Sequence, residues 1–475
     1  MVGTTRRSPS RAALAALLLL LCALAGANPA MADAAFRQWL EGLWPEAAER
    51  GVARAVFDGA FAEVRLLREL PDLKPAKQSK SGGQAEFVKP AANYLKDARL
   101  AQLAAVGRKK AAQHAKALAA IEAKYGVSRH VLLAIWGRET DFGTEVQPHS
   151  VIDVLATQAY LGRRKDYFRA ELLSALQILQ DGGVDLAGLR GSWAGAMGLT
   201  QFMPSGYRAR AVDFDGDGRR NIWTSVPDAL ASTALELLAA TDKDGSDVAW
   251  QAGKSWGYEM RKPAGLDCTL QGYDRPKTMR EWVELGYTRA YGRPFSADQL
   301  DDQAFLLLPE GTDGPAFLVL RNFLALKSYN YADLYALFVG HLADRIAGGK
   351  PFETPWAKAS AMTEADIVSL QEHLLQLGFE VGKVDGKIGW RMRQILGEFE
   401  TQQGLAVDCF PDAADVETAR RLAAAQRDAL LERLHRALQV DHHVGRLERG
   451  GDRLVQLPVG LPVTLVDLAP AKEIL

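Results

Sequence analysis

From residue 127 to about residue 346 the chain repeats one pattern: helical runs of apolar residues separated by turns that carry Gly, Asp or Pro. This constrains the fold more than any other feature, because strand patterns there are few. AFLLL at 304–308 and AFLVL at 316–320 flank a Pro-Glu-Gly-Thr-Asp-Gly turn and read as a small hairpin. The expectation is a mainly α domain with one small β-hairpin. Upstream, FRQWLEGLWPEAAERG and VARAVFDGAFAEVRLL read as amphipathic helices, 72–87 as a loop, and 101–125 as one long Ala-rich helical stretch.

AGGKPFETPWAKAS at 347–360 interrupts the pattern and reads as a linker. A compact unit follows at about 362–425. Ile367, Leu370, Leu374 and Leu377 fall on one helix face, and Gly378 ends that helix. A second helix, about 390–402, precedes Gly404, so two or three short helices make a small helical module. The tail, 426–475, offers one more helix and two short Val/Leu-rich segments, with no role assigned. With 475 residues, 48% of them hydrophobic, two or three domains are expected.

Residues 1–32 differ. Arg6, Arg7 and Arg11 precede the apolar run AALAALLLLLCALAG, and Ala30-Met31-Ala32 is a small-residue cleavage site. This is the pattern of a secretory signal peptide. Its removal takes away three arginines and no acid, so the net charge moves from −1 to −4. The paired arginines raise a twin-arginine route beside the general one. Cys22 is preceded by Leu21 rather than a small residue, which argues against a lipoprotein anchor, so a periplasmic location is expected. Net charge near zero gives no field suited to nucleic acid. Cys268 and Cys409 are far apart in sequence. One disulfide is open to them in an oxidising compartment, but the expectation is two buried thiols. No CxxC or HExxH is present, so no zinc site is indicated.

The stretch IWGRETDFG at 135–143 carries Glu139 at the end of an apolar face. With Ser128 as N-cap, the helix runs to about Thr140, and Val131, Ile135 and Glu139 share one side. If that side packs inward, Glu139 lies in a cleft wall, where desolvation and the negative helix end both favour its protonated form. Such an acid can protonate a leaving oxygen. The alternative is a salt bridge to Arg138 or another cation. Asp141 points about 200° round the helix and makes a poor second carboxylate, so a two-carboxylate glycosidase is not supported.

IWGRETDFG at 135–143, GSWAGAMGLTQFMPSGY at 191–207, AVDFDGDGRRNIW at 211–223, SYN at 328–330 and Tyr335 together resemble the lytic murein transglycosylase B family, over about residues 36–346. The resemblance implies a lysozyme-like helical fold that cleaves the β-1,4 bond between N-acetylmuramic acid and N-acetylglucosamine. The muramyl 6-hydroxyl attacks its own anomeric carbon and leaves a 1,6-anhydro end. One carboxylate, Glu139, then serves as acid and as base. The matched motifs imply Ser192 and Gln201 near the scissile sugars. They also imply Met197, Phe202 and Met203 lining the cleft or packing in the core, and Arg163, Arg164 and Tyr167 on one wall. Tyr329, Asn330 and Tyr335 fall on the other wall. Tyr94 lies where the family places a cleft tyrosine. Where the family usually reads Asn-Tyr, this chain has Leu235-Glu236, which puts one cleft tyrosine in doubt and bears on saccharide preference. A non-catalytic wall-binding scaffold and a hydrolytic lysozyme are the other classes weighed.

DFDGDGRRN places Asp213, Asp215 and Asp217 at positions 1, 3 and 5 of a calcium-like loop, with Gly218 at 6 and the Arg219 carbonyl at 7. Thr224 stands where the usual Glu would be, and Asp228 follows four residues on. The choice lies between a structural calcium ion and an acidic turn neutralised by Arg219 and Arg220. No cofactor is expected for catalysis. Residues 370–412 resemble the peptidoglycan-binding type 1 domain in their Leu-Gly-Phe, Val-Asp-Gly and Gly-Leu-x-Val-Asp elements, while Arg391-Met392-Arg393 and Glu400 depart from it. A tethered module of this kind would raise the local substrate concentration. Peptidoglycan is the expected partner, other cell-wall enzymes are open, and a monomer is expected.

Overall fold

The computed structural model describes residues 29–73, 90–356 and 362–447. Most of the signal segment, part of the 72–87 loop, the end of the linker and the far tail lie outside these residues. Helices α1 (Pro29–Glu41), α2 (Trp44–Glu49) and α3 (Arg54–Phe61) come first, then α4 (Ala91–Tyr94), α5 (Asp97–Gln113), α6 (Ala115–Tyr125) and α7 (Arg129–Thr140). Strand β1 (His149–Ser150) leads into α8 (Val151–Leu161) and α9 (Lys165–Gln180), and β2 (Arg190–Gly191) precedes α10 (Pro204–Arg210) and α11 (Val226–Leu238). A strand-rich stretch holds β3 (Gly257–Arg261), β4 (Lys277–Thr278), α12 (Met279–Glu284), β5 (Thr288–Arg289), α13 (Ala297–Leu300), β6 (Gln303–Leu307) and β7 (Ala316–Val319). Then follow α14 (Arg321–Ser328), α15 (Asp333–Ile346), α16 (Glu364–Gln376), α17 (Trp390–Gln403) and α18 (Ala413–Leu447).

The expected hairpin is the β6–β7 pair, but it is the centre of a five-stranded antiparallel sheet ordered β4-β6-β7-β3-β5. Its two apolar runs are continuous because both sheet faces are buried. Leu307, Phe317 and Val319 point into the helical core, while Leu306, Ala316 and Leu318 point into a second cluster with Trp282 and Tyr287. The outer strands are two to five residues long, too short to announce themselves by alternation. The Ala-rich stretch is two helices rather than one. It breaks at His114, and this lets Leu100 and Leu103 of α5 and Leu118 and Ile121 of α6 reach the same core.

A separate core joins α1–α3 to α8, α9 and α10, with Phe36, Phe57, Leu172, Leu173 and Tyr207 among its members. α7 lies at the centre of the other core. Leu132, Leu133 and Ile135 are fully buried, worth about 1.5–3 kcal/mol each. That burial sets the rotation of α7 and so the direction of Glu139.

The small module forms as expected. Ile367, Leu370 and Leu374 are buried and Leu377 packs at the edge of the cluster. Gly378 and Gly404 end their helices with φ of 91° and 65°. Its third helix, α18, continues to Leu447, past the expected boundary near 425. The linker is not a free tether over its described part. Phe352 and Trp356 pack on Phe317, Glu353 pairs with Arg261 at 2.5 Å, and Glu259 accepts from the Glu353 and Thr354 amides.

Cys268 and Cys409 form a disulfide, so the expectation of two buried thiols is wrong. The 3-10 turn that holds Cys268 packs on α17 and brings residues 141 positions apart into bonding range. Gly397 of α17 permits this approach, since a Cβ there would lie 2.3 Å from the Cys409 sulfur.

Candidate active site

Ser128 caps α7 by accepting from the His130 amide. The helix ends right after Glu139, because Asp141, Phe142 and Gly143 all adopt positive φ. Gly137 makes that exit feasible: a Cβ there would sit 2.6 Å from the Phe142 ring, which folds back under the helix. Asp141 turns away to pair with Arg99 at 3.1 Å, so it does not serve as a second acid beside Glu139.

Glu139 is half-buried. The Tyr335 hydroxyl, from the first turn of α15, donates to its Oε1. Tyr329, just past α14, lies parallel to Tyr335 with ring centroids 6.2 Å apart. Its hydroxyl donates to the Thr200 carbonyl at 2.6 Å, which ties this wall to the loop carrying Gln201. Burial first, and then the charge of Glu139, hold both phenols well above their ordinary range. Arg138 stands next to Glu139 and donates to the Tyr94 hydroxyl at 2.8 and 3.0 Å. Burial opposes its charge, but Tyr94 and Glu139 beside it more than offset that. Tyr94 is therefore buried behind the site and holds Arg138 rather than presenting a face.

The loop at 192–203 closes another side. Gln201 has φ 60°, and its amide donates to the Gly198 carbonyl at 3.1 Å. The Ser192 hydroxyl accepts from the Ala196 amide at 3.2 Å, a turn-capping role, and remains half-exposed. Met197 and Phe202 do not line an open cleft: they are 0% and 3% exposed and belong to the α8–α10 core, where their backbones pair with each other. Met203 packs at the edge of that core. The Asn330 side-chain Oδ1 is buried without a hydrogen-bond partner. Arg163 is turned to Asp72 at 2.6 Å and is largely exposed. Arg164 lies over the Tyr167 and Phe168 rings at 5.1 and 5.0 Å.

Two further groups belong beside these residues, Tyr331 and Glu236. Tyr331 has φ 54° and is exposed. Burial first, and then Glu171, push Tyr167 up to about 12 despite the opposing pull of Arg164, with a small further contribution from Tyr331. Glu236 of α11 pairs with Arg210 at 3.3 Å, and its charge adds a lesser contribution to raising the Tyr329 and Tyr331 phenols. Burial raises its carboxyl despite Arg210. Glu236 was legible as a departure, standing with Leu235 where the family usually reads Asn-Tyr. The Tyr-Asn-Tyr run at 329–331 was the available signal for Tyr331.

The acidic loop is compact. Carboxylate oxygens of Asp213, Asp215, Asp217 and Asp228 lie within 4.8 Å of one another. Asp228 is fully buried and accepts from the Phe214, Asp215 and Asn221 amides. Asp213 accepts from Gly216 and Gly218, and Asp217 from the Arg219 amide. Arg220 lies over the Tyr207 ring rather than on these acids. Four carboxylates this close repel one another unless a cation joins them, and their hard oxygens suit calcium. The loop also braces the site, since the Ile222 carbonyl accepts from the Leu199 amide, two residues before Gln201.

The small module is docked against the large unit through the residues that depart from its expected pattern. Arg391 pairs with Asp274 at 3.3 Å, and Arg393 donates to Gln271 and Asp333, each at 3.1 Å. Arg275 pairs with Glu398 at 2.7 Å, and Trp390 meets the Tyr273 ring edge at 5.3 Å.

Comparison with known proteins agrees with this arrangement. A family described as Transglycosylase SLT domain matches residues 35–344, and a peptidoglycan binding domain matches residues 363–428. The structure of SltB3 from Pseudomonas aeruginosa in complex with NAG-anhNAM-pentapeptide is similar at 39% identity and TM-score 0.71, covering 81% of this chain and 99% of that one. Lytic transglycosylase Slt35 of Escherichia coli in complex with calcium is similar at 27% identity and TM-score 0.51, covering 66% of this chain and 92% of that one. Membrane-bound lytic murein transglycosylase B of Escherichia coli K12 is 35% identical over 225 residues, which span 47% of this chain and 58% of that protein. With the family matched over well over half of its length, the chain belongs to the transglycosylase SLT family and carries a peptidoglycan-binding domain after it.

Proposed function

We propose that this protein is a lytic transglycosylase that cleaves the β-1,4 bond between N-acetylmuramic acid and N-acetylglucosamine in peptidoglycan, leaving 1,6-anhydromuramyl ends. The observation that carries this reading is Glu139, half-buried at the end of α7, with the Tyr335 hydroxyl on one carboxyl oxygen and Tyr329 parallel beyond it. The similar Pseudomonas protein was solved with an anhydromuramyl fragment, which supports the same product here.

In this reading Glu139 gives its proton to the leaving oxygen and then takes one from the muramyl 6-hydroxyl. The attack is intramolecular, so it needs no positioned water and no second carboxylate. Tyr335 orients the Glu139 carboxyl. Tyr167 and Tyr331 offer exposed rings from opposite walls, suited to sugar faces. Gln201, Ser192 and Asn330 supply polar groups near the bond to be cut. Glu236 takes the place of a cleft tyrosine and replaces an apolar face with a hydrogen-bond acceptor, which sets saccharide preference. Asp213, Asp215, Asp217, the Arg219 carbonyl and Asp228 would hold a calcium ion that supplies only structural charge neutralisation.

The Cys268–Cys409 disulfide supports export to an oxidising compartment, the periplasm. Among the described residues no helix is long and apolar enough to cross a membrane. Product analysis on purified sacculi tests the reading: anhydro ends are expected. Reducing ends would make the enzyme a hydrolase, and no release would leave a binding scaffold. Calcium titration should raise the thermal midpoint, and Asp213→Asn should remove that rise; a midpoint that does not move rules the ion out.

A further inference from the structure

The corner between α14 and α15 carries Tyr329, Asn330 and Tyr335, the wall that faces Glu139. It is secured at Asp333, the first residue of α15. Asp333 pairs with Lys327 of α14 at 2.9 Å and accepts from the Tyr273 hydroxyl at 2.7 Å. Its second oxygen accepts from Arg393 of the small module at 3.1 Å. Arg393 is 3% exposed and also donates to Gln271 and to the Ile388 carbonyl, so its guanidinium is fixed on three sides. Lys327 in turn lies over the Tyr273 ring at 4.0 Å, and that ring touches Trp390 at the start of α17. The cluster thus joins both units two residues before the side chain that holds Glu139.

We propose that Arg393 of the peptidoglycan-binding module is a positioning residue for the transglycosylase site, acting through Asp333 on the first turn of α15 and hence on the Tyr335–Glu139 contact. The module is then part of the catalytic apparatus and not only a wall anchor. Three observations make a purely adhesive role insufficient. Arg393 stands at a position that departs from the pattern of its own domain. It spends its charge on the large unit rather than on an exposed face. Its target belongs to the helix turn that supplies Tyr335. A guanidinium fixes two N–H directions at once, which a lysine cannot do. Arg138, Tyr329 and Tyr335 are among the groups beside Glu139, and a shift of the α14–α15 corner moves both tyrosines.

The inference rests on Glu139 as acid and base. The test uses the full oxidised chain with Arg393→Gln and Arg393→Lys, measured on purified sacculi and on soluble glycan strands. Arg393→Gln should lower kcat roughly 10- to 100-fold, the scale of a sub-ångström to 1 Å misplacement. KM and sacculus binding should stay close to wild type, and the pH profile of kcat should be displaced. Arg393→Lys should recover part of the rate. Tyr273→Phe, which removes the hydroxyl from Asp333 and keeps the ring against Trp390, should displace the pH profile in the same sense; it serves also if Arg393→Gln does not fold. A lower melting temperature with unchanged kcat and pH profile would overturn the inference. An active Glu139→Gln would instead overturn the reading beneath it, whatever Arg393 does.

Discussion

Glu139 is held by the first turn of α15 and Asp333 is the first residue of that turn, and the two carboxylates have opposite surroundings. Asp333 takes two cations and a phenol in a buried setting. Burial alone would favour its neutral form, but Lys327 and Arg393 hold it well below the usual carboxylate range. It stays charged and holds the structure. Glu139 takes the Tyr335 hydroxyl, lies half-exposed at the cleft wall, and stands at the negative end of its helix. In the proposed mechanism one fold thereby separates a carboxylate that stays charged from one that changes state twice. The difference lies in the number and charge of the partners.

The comparison can be broken at each end. Glu139→Gln should reduce release of soluble fragments by about 10²–10⁴-fold, the usual worth of a general acid–base group, while sacculus binding persists; retained turnover would reassign the acid. Asp333→Asn should act on stability first. It leaves Lys327 and Arg393 buried around a neutral amide, at a cost of about 3–5 kcal/mol, read as a lower denaturant midpoint. Cys409→Ser should cost about 2–5 kcal/mol by releasing the constraint on the unfolded chain, and should loosen the small module ahead of the large one in hydrogen exchange. Tyr335→Phe removes one charge-assisted hydrogen bond, worth about 1.5–3 kcal/mol. It should displace the pH profile of kcat with a smaller fall in melting temperature than Asp333→Asn, which should lower stability and displace the pH profile together.

The mildest perturbation is pH itself. Glu400 accepts from the Asp408 and Cys409 amides beside the disulfide, and burial pushes it up to about 8 from an ordinary 4.5. A raised acid is stabilising where it is protonated. That contribution is complete below about pH 4.5 and is lost as pH rises through about 8. Urea midpoints should therefore fall between about pH 5 and pH 8, and Glu400→Gln should flatten the fall. Asp415, raised to about 7 mainly by burial, adds in the same direction.

Much of the fold was legible because helices announce themselves locally. Ser128, Gly378 and Gly404 mark their helix ends as the spacing predicts, and the apolar faces of α7 and α16 fall on the core. The sheet was legible only at β6–β7. Its partners β3, β4 and β5 are brief and recruited from distant segments, so no local period betrays them. Met197 and Phe202 show the limit of motif reasoning. A motif names residues that travel together, but burial decides which reach the cleft.

The sequence by itself determined the helical framework, the placement of Glu139 at the end of an apolar face, the acidic loop and the three-helix module. All rest on short-range spacing, which backbone geometry turns directly into shape. Only the tertiary structure decided that Cys268 meets Cys409, that Tyr335 reaches Glu139 from 196 residues away, and that Arg393 reaches Asp333 from the next domain. These are pairings between distant residues, and they exist only once separate cores have packed and set which side chains face each other.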